Sequence, residues 1–131
     1  MTERTFSFEF FPPKTAEGAE KLRATREQLA QLKPKFFSVT FGAGGSTRDR
    51  TLETVREIQA SGSEAAPHLS CIGSTQDNIR EILGEYKSQG IRHLVALRGD
   101  LPLGTMDAGE FNYANELVSF IRAETGDWFE I

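Results

Sequence analysis

The strongest constraint on this chain is a rhythm in which short apolar stretches alternate with longer, one-faced helical patterns. Residues 6–11, 36–41, 67–72 and 93–98 are rich in aromatic or aliphatic side chains, are bounded by Gly or Pro, and read as strands. A helix is expected from Thr15, a good N-cap, with Ala19, Leu22, Leu29 and Leu32 on one face and a stop before Pro34. A second runs from about Thr47, with Leu52, Val55 and Ile58 on its apolar face and Gly62 as terminator. The third has Thr75 as cap, Ile79, Ile82, Leu83 and Tyr86 on one stripe, and an end at Gly90. The fourth repeats that spacing with Ala114, Leu117, Val118 and Ile121 and ends near Gly126. Strand starts near residues 5, 36, 67, 93 and 128 are spaced by about 30 residues, the length of a βα unit. The fold class is therefore α/β with a parallel sheet.

Two architectures accommodate four βα units and a strand: a five-stranded doubly wound domain, or the first half of a (β/α)8 barrel, which needs about 250 residues. Side-chain parity favours the barrel. Strands covered by helices on both faces should be almost continuously apolar, yet Ser7 and Glu9 oppose Phe6, Phe8 and Phe10. Ser38 and Thr40 likewise oppose Phe37 and Val39, and His68 and Ser70 oppose Leu69 and Cys71. A polar barrel lumen explains such a face. The expected domain is thus residues 1–131 as the N-terminal, truncated part of one (β/α)8 catalytic barrel, with strand order 1-2-3-4-5. Asp127-Trp128-Phe129-Glu130-Ile131 reads as the opening of the fifth strand, and the one long loop spans 101–112.

Composition removes several function classes. With 15 basic and 19 acidic residues and a net charge of −4, the chain offers no electrostatic footprint for nucleic acid. No apolar run approaches the roughly 18 residues that span a bilayer, so no membrane role is expected. The opening Met1-Thr2-Glu3-Arg4 lacks the apolar core of a signal peptide, which makes the expected compartment the cytoplasm. Cys71 is the only cysteine, so neither an internal disulfide nor a cysteine-based metal cluster can form.

Glu9 is the sharpest chemical feature. It lies in Phe6-Ser7-Phe8-Glu9-Phe10-Phe11 before Pro12-Pro13, and burial among aromatic rings would raise its pKa and let it act as a general acid. An exposed strand terminus, or a pairing with a distant Arg, explains it equally well. The turn Gly42-Ala43-Gly44-Gly45-Ser46-Thr47 joins a strand to a helix, where backbone amides can face an anion. It matches neither a dinucleotide fingerprint nor a P-loop. Leu97-Arg98-Gly99-Asp100-Leu101-Pro102 gathers a cation, a permissive Gly and an anion at a strand end, the ligand-binding end of a barrel, though an Arg–Asp pair fixing the loop would look the same. His68 suits a ligand contact or a hydrogen-bonded core position. His93 has no companion at metal-ligand spacing, so no metal site is expected. Cys71 faces the helix side by parity and reads as packing.

Together these segments resemble the methylenetetrahydrofolate reductase family. The resemblance rests on Phe8-Glu9-Phe10-Phe11-Pro12-Pro13-Lys14-Thr15, Ser38-Val39-Thr40-Phe41-Gly42-Ala43, Arg48-Asp49-Arg50-Thr51 and Glu64-Ala65-Ala66-Pro67-His68-Leu69. To these is added the run from Gly90-Ile91-Arg92-His93 through Leu97-Arg98-Gly99-Asp100-Leu101-Pro102, all in family order. It implies an FAD-containing (β/α)8 barrel that uses NADH or NADPH to reduce 5,10-methylenetetrahydrofolate to 5-methyltetrahydrofolate, in one-carbon metabolism and methionine biosynthesis. The nicotinamide would leave before folate binds, and the complete enzyme would be a homo-oligomer. Glu9 matches the acid that protonates N10 of the folate to open its five-membered ring. Asp100 matches an acid near flavin and folate that steadies the resulting iminium cation. His68, Arg98, Gly99, Ala43, Tyr113 and Ala114 match FAD contacts, and Thr40 matches a position near the flavin that meets the nicotinamide. Phe41 stands where many relatives carry Tyr, which leaves backbone contact to the flavin but no hydroxyl. Gly44-Gly45-Ser46-Thr47 departs from the commoner Asn-Ser-Gly turn, and contacts from later strands have no counterpart in these residues.

Two other readings compete: a five-stranded, non-catalytic regulatory module, and an inert truncated product. The first wants clustered acids at the end of the first strand, where Glu9 stands alone.

Overall fold

The computed structural model describes residues 4–40, 48–72, 74–99 and 109–131, which form two compact units, Met1–Pro67 and His68–Ile131. The elements alternate throughout: β1 (Ser7–Phe10), α1 (Ala16–Ala30), β2 (Phe36–Val39), α2 (Arg48–Ala60), β3 (Ala65–Ser70), α3 (Gln76–Ser88), β4 (Val95–Leu97) and α4 (Ala114–Thr125). All strand pairs are parallel and their order is β1-β2-β3-β4. That sequential order is what a barrel wall requires, and it excludes the doubly wound alternative, in which the chain reverses direction across the sheet after its first strands.

In the first unit, Glu9 is level with Ser38, and Ser38 with Ala66, while Phe8 and Phe10 are level with Phe37 and Val39. Parity thus sends the phenylalanines to one side, where Phe10 and Phe8 stack on Phe37 at 5.3 and 6.2 Å between ring centroids. Leu52, Val55 and Ile58 of α2 complete this core as expected. Helix α1 begins at the predicted cap, the Thr15 hydroxyl accepting from the Gly18 amide at 3.0 Å. Its apolar face is weaker than its spacing suggests: Ala19, Leu22 and Leu29 are half-buried and Leu32 is exposed. Arg23 of α1 is ion-paired with Glu57 of α2.

The second unit is better packed. Ile79, Ile82, Leu83 and Tyr86 of α3 are buried, as are Leu117 and Ile121 of α4. Arg80 ties the two helices together, reaching Glu124 at 3.0 Å and Asp77 at 2.6 Å. The Thr75 hydroxyl caps α3 by accepting from the Asn78 amide. Cys71 is fully buried, and burial pushes its thiol pKa up.

All four strands differ in extent from their apolar runs. β1, β2 and β4 are shorter, and β3 starts two residues before Pro67 because Ala65 and Ala66, too small to carry an apolar signature, pair with Phe37 and Ser38. The expected opening of the fifth strand is seen as a parallel bridge between Glu130 and His93, with Leu94 N–H donating to the Glu130 carbonyl at 2.9 Å. Among the described residues no helix is long and apolar enough to cross a membrane.

Candidate functional site

In the first unit the polar row of β1 and β2 ends at Glu9 and Thr40. Glu9 is exposed. Of the settings that the sequence allows, this is the exposed strand end and not burial among rings: alternation along a strand places Phe8 and Phe10 on the other face, so the rings that flank Glu9 in sequence do not surround it. Thr40 is held by its backbone, its N–H donating to the Phe10 carbonyl at 2.9 Å while its carbonyl accepts from the buried Thr51 hydroxyl at 2.8 Å. Thr51 carried no signal in the sequence beyond its place in Arg48-Asp49-Arg50-Thr51, yet it fixes the exit of β2. An apolar cleft of about 530 Å³ opens beside Phe10, Phe11, Pro12 and Pro13, and Glu9 does not line it.

Of the predicted residues in the second unit, Arg98 and Gly99 follow the end of β4, His68 lies within β3, and Tyr113 and Ala114 start α4. His68 and Ser70 are both 7% exposed and sit level with Val95 and Leu97. The ladder continues beyond the strands, with Cys71 N–H donating to the Leu97 carbonyl at 3.1 Å and Ile72 N–H to the Arg98 carbonyl at 2.9 Å. The Ser70 hydroxyl adds a second bond to the Arg98 carbonyl at 2.8 Å, and Arg98 Nε donates to the Gly99 carbonyl at 3.1 Å. Gly99 has φ +84°, and a β-carbon there would collide with Ser70 Oγ and come within 3.0 Å of Ile72 Cγ2. Only glycine satisfies both demands.

Tyr113 and Ala114 open α4. Tyr113 is 64% exposed and its side chain makes no capping bond, which leaves the first amides of α4 without a cap from that residue. The approach to this helix is fixed by Glu110, whose N–H donates to the Ser74 carbonyl at 3.1 Å and whose carboxylate accepts from the Gln76 amide at 2.5 Å. The Arg98 cation, the helix-terminal amides at Ala114, the exposed Tyr113 ring and the buried His68 imidazole are each groups suited to an anionic ligand that carries planar rings. Phe41, Ala43 and Asp100 lie outside the described residues. Among the described residues no group of three or more His, Cys, Asp or Glu is placed to hold a metal ion.

Comparison with known proteins adds an independent line. A family model described as methylenetetrahydrofolate reductase matches residues 1–131. The chain is 48% identical over 124 residues to a 5,10-methylenetetrahydrofolate reductase of Pectobacterium carotovorum, covering 93% of this chain and 40% of that protein. It is 49% identical over 117 residues to the Escherichia coli protein of the same name, covering 88% and 39%. A probable methylenetetrahydrofolate reductase (NADH) of Oryza sativa is 43% identical over 131 residues, covering 96% and 22%. The chain therefore spans about 40% of the length of its bacterial relatives and less of the plant one. Family match and parallel βα order agree, and the chain belongs to the methylenetetrahydrofolate reductase family.

Proposed function

We propose that the protein of which these residues form part is a cytoplasmic, FAD-dependent enzyme that reduces 5,10-methylenetetrahydrofolate to 5-methyltetrahydrofolate with NADH or NADPH, and that it works as a homo-oligomer. The observation that carries this reading is the family match along all 131 residues. The donor set of the second unit fits FAD. Arg98 and the amides of Gly99 and Ala114 would meet the pyrophosphate, while His68 and Tyr113 would meet the rings. Phe41 and Ala43 would add backbone contacts and Thr40 would serve the nicotinamide. When bound, FAD supplies a carrier that takes hydride from the nicotinamide and gives it to the folate.

The chain's own residues do the rest. Glu9 would deliver a proton to N10 of the folate as the five-membered ring opens. Asp100 would supply the negative charge that steadies the folate cation formed on ring opening. The NADH named for the rice relative favours NADH as donor. The test is the full-length protein: it should purify yellow, or take up FAD when reconstituted, and consume NADH or NADPH only with 5,10-methylenetetrahydrofolate or another acceptor present. A protein that remains colourless with excess FAD would sink the proposal.

A further inference from the structure

We propose that Ser70 is a positioning residue for the ligand-contacting pair Arg98–Gly99, a role that rests on the flavin reading above. Ser70 lies in the last position of β3, buried, on the polar row. A hydroxyl in such a place is costly unless bonded, and its partner here is a backbone carbonyl just beyond the end of β4. It donates to the Arg98 carbonyl, which already accepts the Ile72 amide. Both lone pairs of that oxygen are then engaged.

Two donors converging on one carbonyl fix the plane of the Arg98–Gly99 peptide, which is trans. Because a trans peptide is planar with its N–H opposite its C=O, anchoring the carbonyl toward β3 aims the Gly99 N–H away from β3. The next peptide is held as well, since its carbonyl accepts Arg98 Nε and thereby draws the guanidinium back over the turn. Gly99 completes the arrangement, because its left-handed φ and the closeness of Ser70 Oγ leave no room for a side chain. Ser70 thus sets the direction of one backbone donor and of one cation without touching the ligand. An alanine would preserve the strand and its packing but release one of the two restraints.

The experiment uses the full-length protein with FAD as the probe, and it reads flavin affinity from the flavin spectrum and apoprotein folding from thermal melting. Ser70→Ala should raise the FAD dissociation constant by about 5- to 10-fold, the loss expected for one buried hydrogen bond, with the visible spectrum of bound flavin shifted. Ser70→Thr keeps the hydroxyl and should restore affinity to within about twofold of the parent. Ser70→Cys, a weak donor that fills the space, should follow alanine and so separates the bond from any cavity effect. A merely structural Ser70 would lower the apoprotein melting temperature while leaving the affinity of the folded protein unchanged, and that result overturns the proposal. Failure of threonine to rescue overturns it too. If the parent itself binds no FAD, the flavin reading falls and takes this proposal with it, whereas equal binding by parent and alanine variant removes the Ser70 role alone.

Discussion

Lys33 occupies a conformation that L-residues avoid. Just beyond α1 its φ is +54°, in the left-handed region, while its N–H closes onto the Ala30 carbonyl at 3.0 Å. Most helices that end this way place glycine there. Lys33→Gly should therefore stabilise the protein by up to about 1 kcal/mol, the relief of left-handed strain being partly offset by the greater freedom of glycine in the unfolded chain. Urea denaturation of the two proteins checks the sign. At Glu9 the expected effect is on chemistry rather than folding, because an exposed strand-end carboxylate carries little packing. In the full-length enzyme, Glu9→Gln should leave FAD binding and flavin reduction by the nicotinamide intact while slowing the folate half-reaction at least about 100-fold, the scale of general-acid catalysis. Rapid mixing resolves the two half-reactions, and equal loss in both would make Glu9 structural.

Between elements, the clamp from Arg80 to Glu124 and Asp77 makes a pH-dependent prediction. The hydrogen bond from Arg80 holds the Glu124 carboxyl below its usual range. A carboxylate with a lowered folded pKa contributes stability that is present above the unfolded pKa and lost as pH falls through the folded one. The melting temperature of Glu124→Gln should accordingly lie slightly below that of the parent at neutral pH, and the difference should vanish in acid below the ordinary Glu range. The pair is exposed, so high salt should also shrink it. Elements of this kind were largely legible in the sequence. Thr15 and Thr75 announce their helices because a hydroxyl before an apolar stripe has one obvious use, and the stripes of α2 and α3 are buried as their spacing implies. Boundaries were harder. The start of β3 is hidden because two alanines have no strand signature, and Leu32 looks like core until the helix ends short of it. The site was legible only as motifs. Arg98-Gly99 reads as a ligand turn, but the Ser70 bond that orients it links residues 28 positions apart, and no local pattern encodes such a contact. For Glu9 the sequence allows both burial among rings and an exposed strand end, and only the alternation of the strand selects the exposed end, since neighbours in a strand sequence are not neighbours in space.

At the scale of the whole molecule, β3 runs through the boundary between the two units, pairing with β2 by its first residues and with β4 by its last. One strand serving both cores should couple their unfolding. The lone tryptophan offers a way to see this. Trp128 lies under the Arg92 guanidinium, 3.9 Å from ring centroid to Cζ, with Lys87 Nζ at 5.0 Å and its indole N–H bonded to the Ile91 carbonyl at 3.0 Å. Both tyrosines, Tyr86 and Tyr113, also fall after residue 67, and the chromophores of residues 1–67 are phenylalanines alone. Intrinsic fluorescence of these 131 residues is thus a one-sided lamp, reporting on the second unit while the first stays dark, whereas far-ultraviolet circular dichroism sees helices in both. Superimposed denaturation curves from the two signals are expected, and a fluorescence midpoint displaced from the dichroism midpoint would show that the halves melt separately. The same asymmetry turns emission into a test of the shared strand: a destabilised α1 or α2 lowers the emission midpoint if the two units unfold together and leaves it unmoved if they do not.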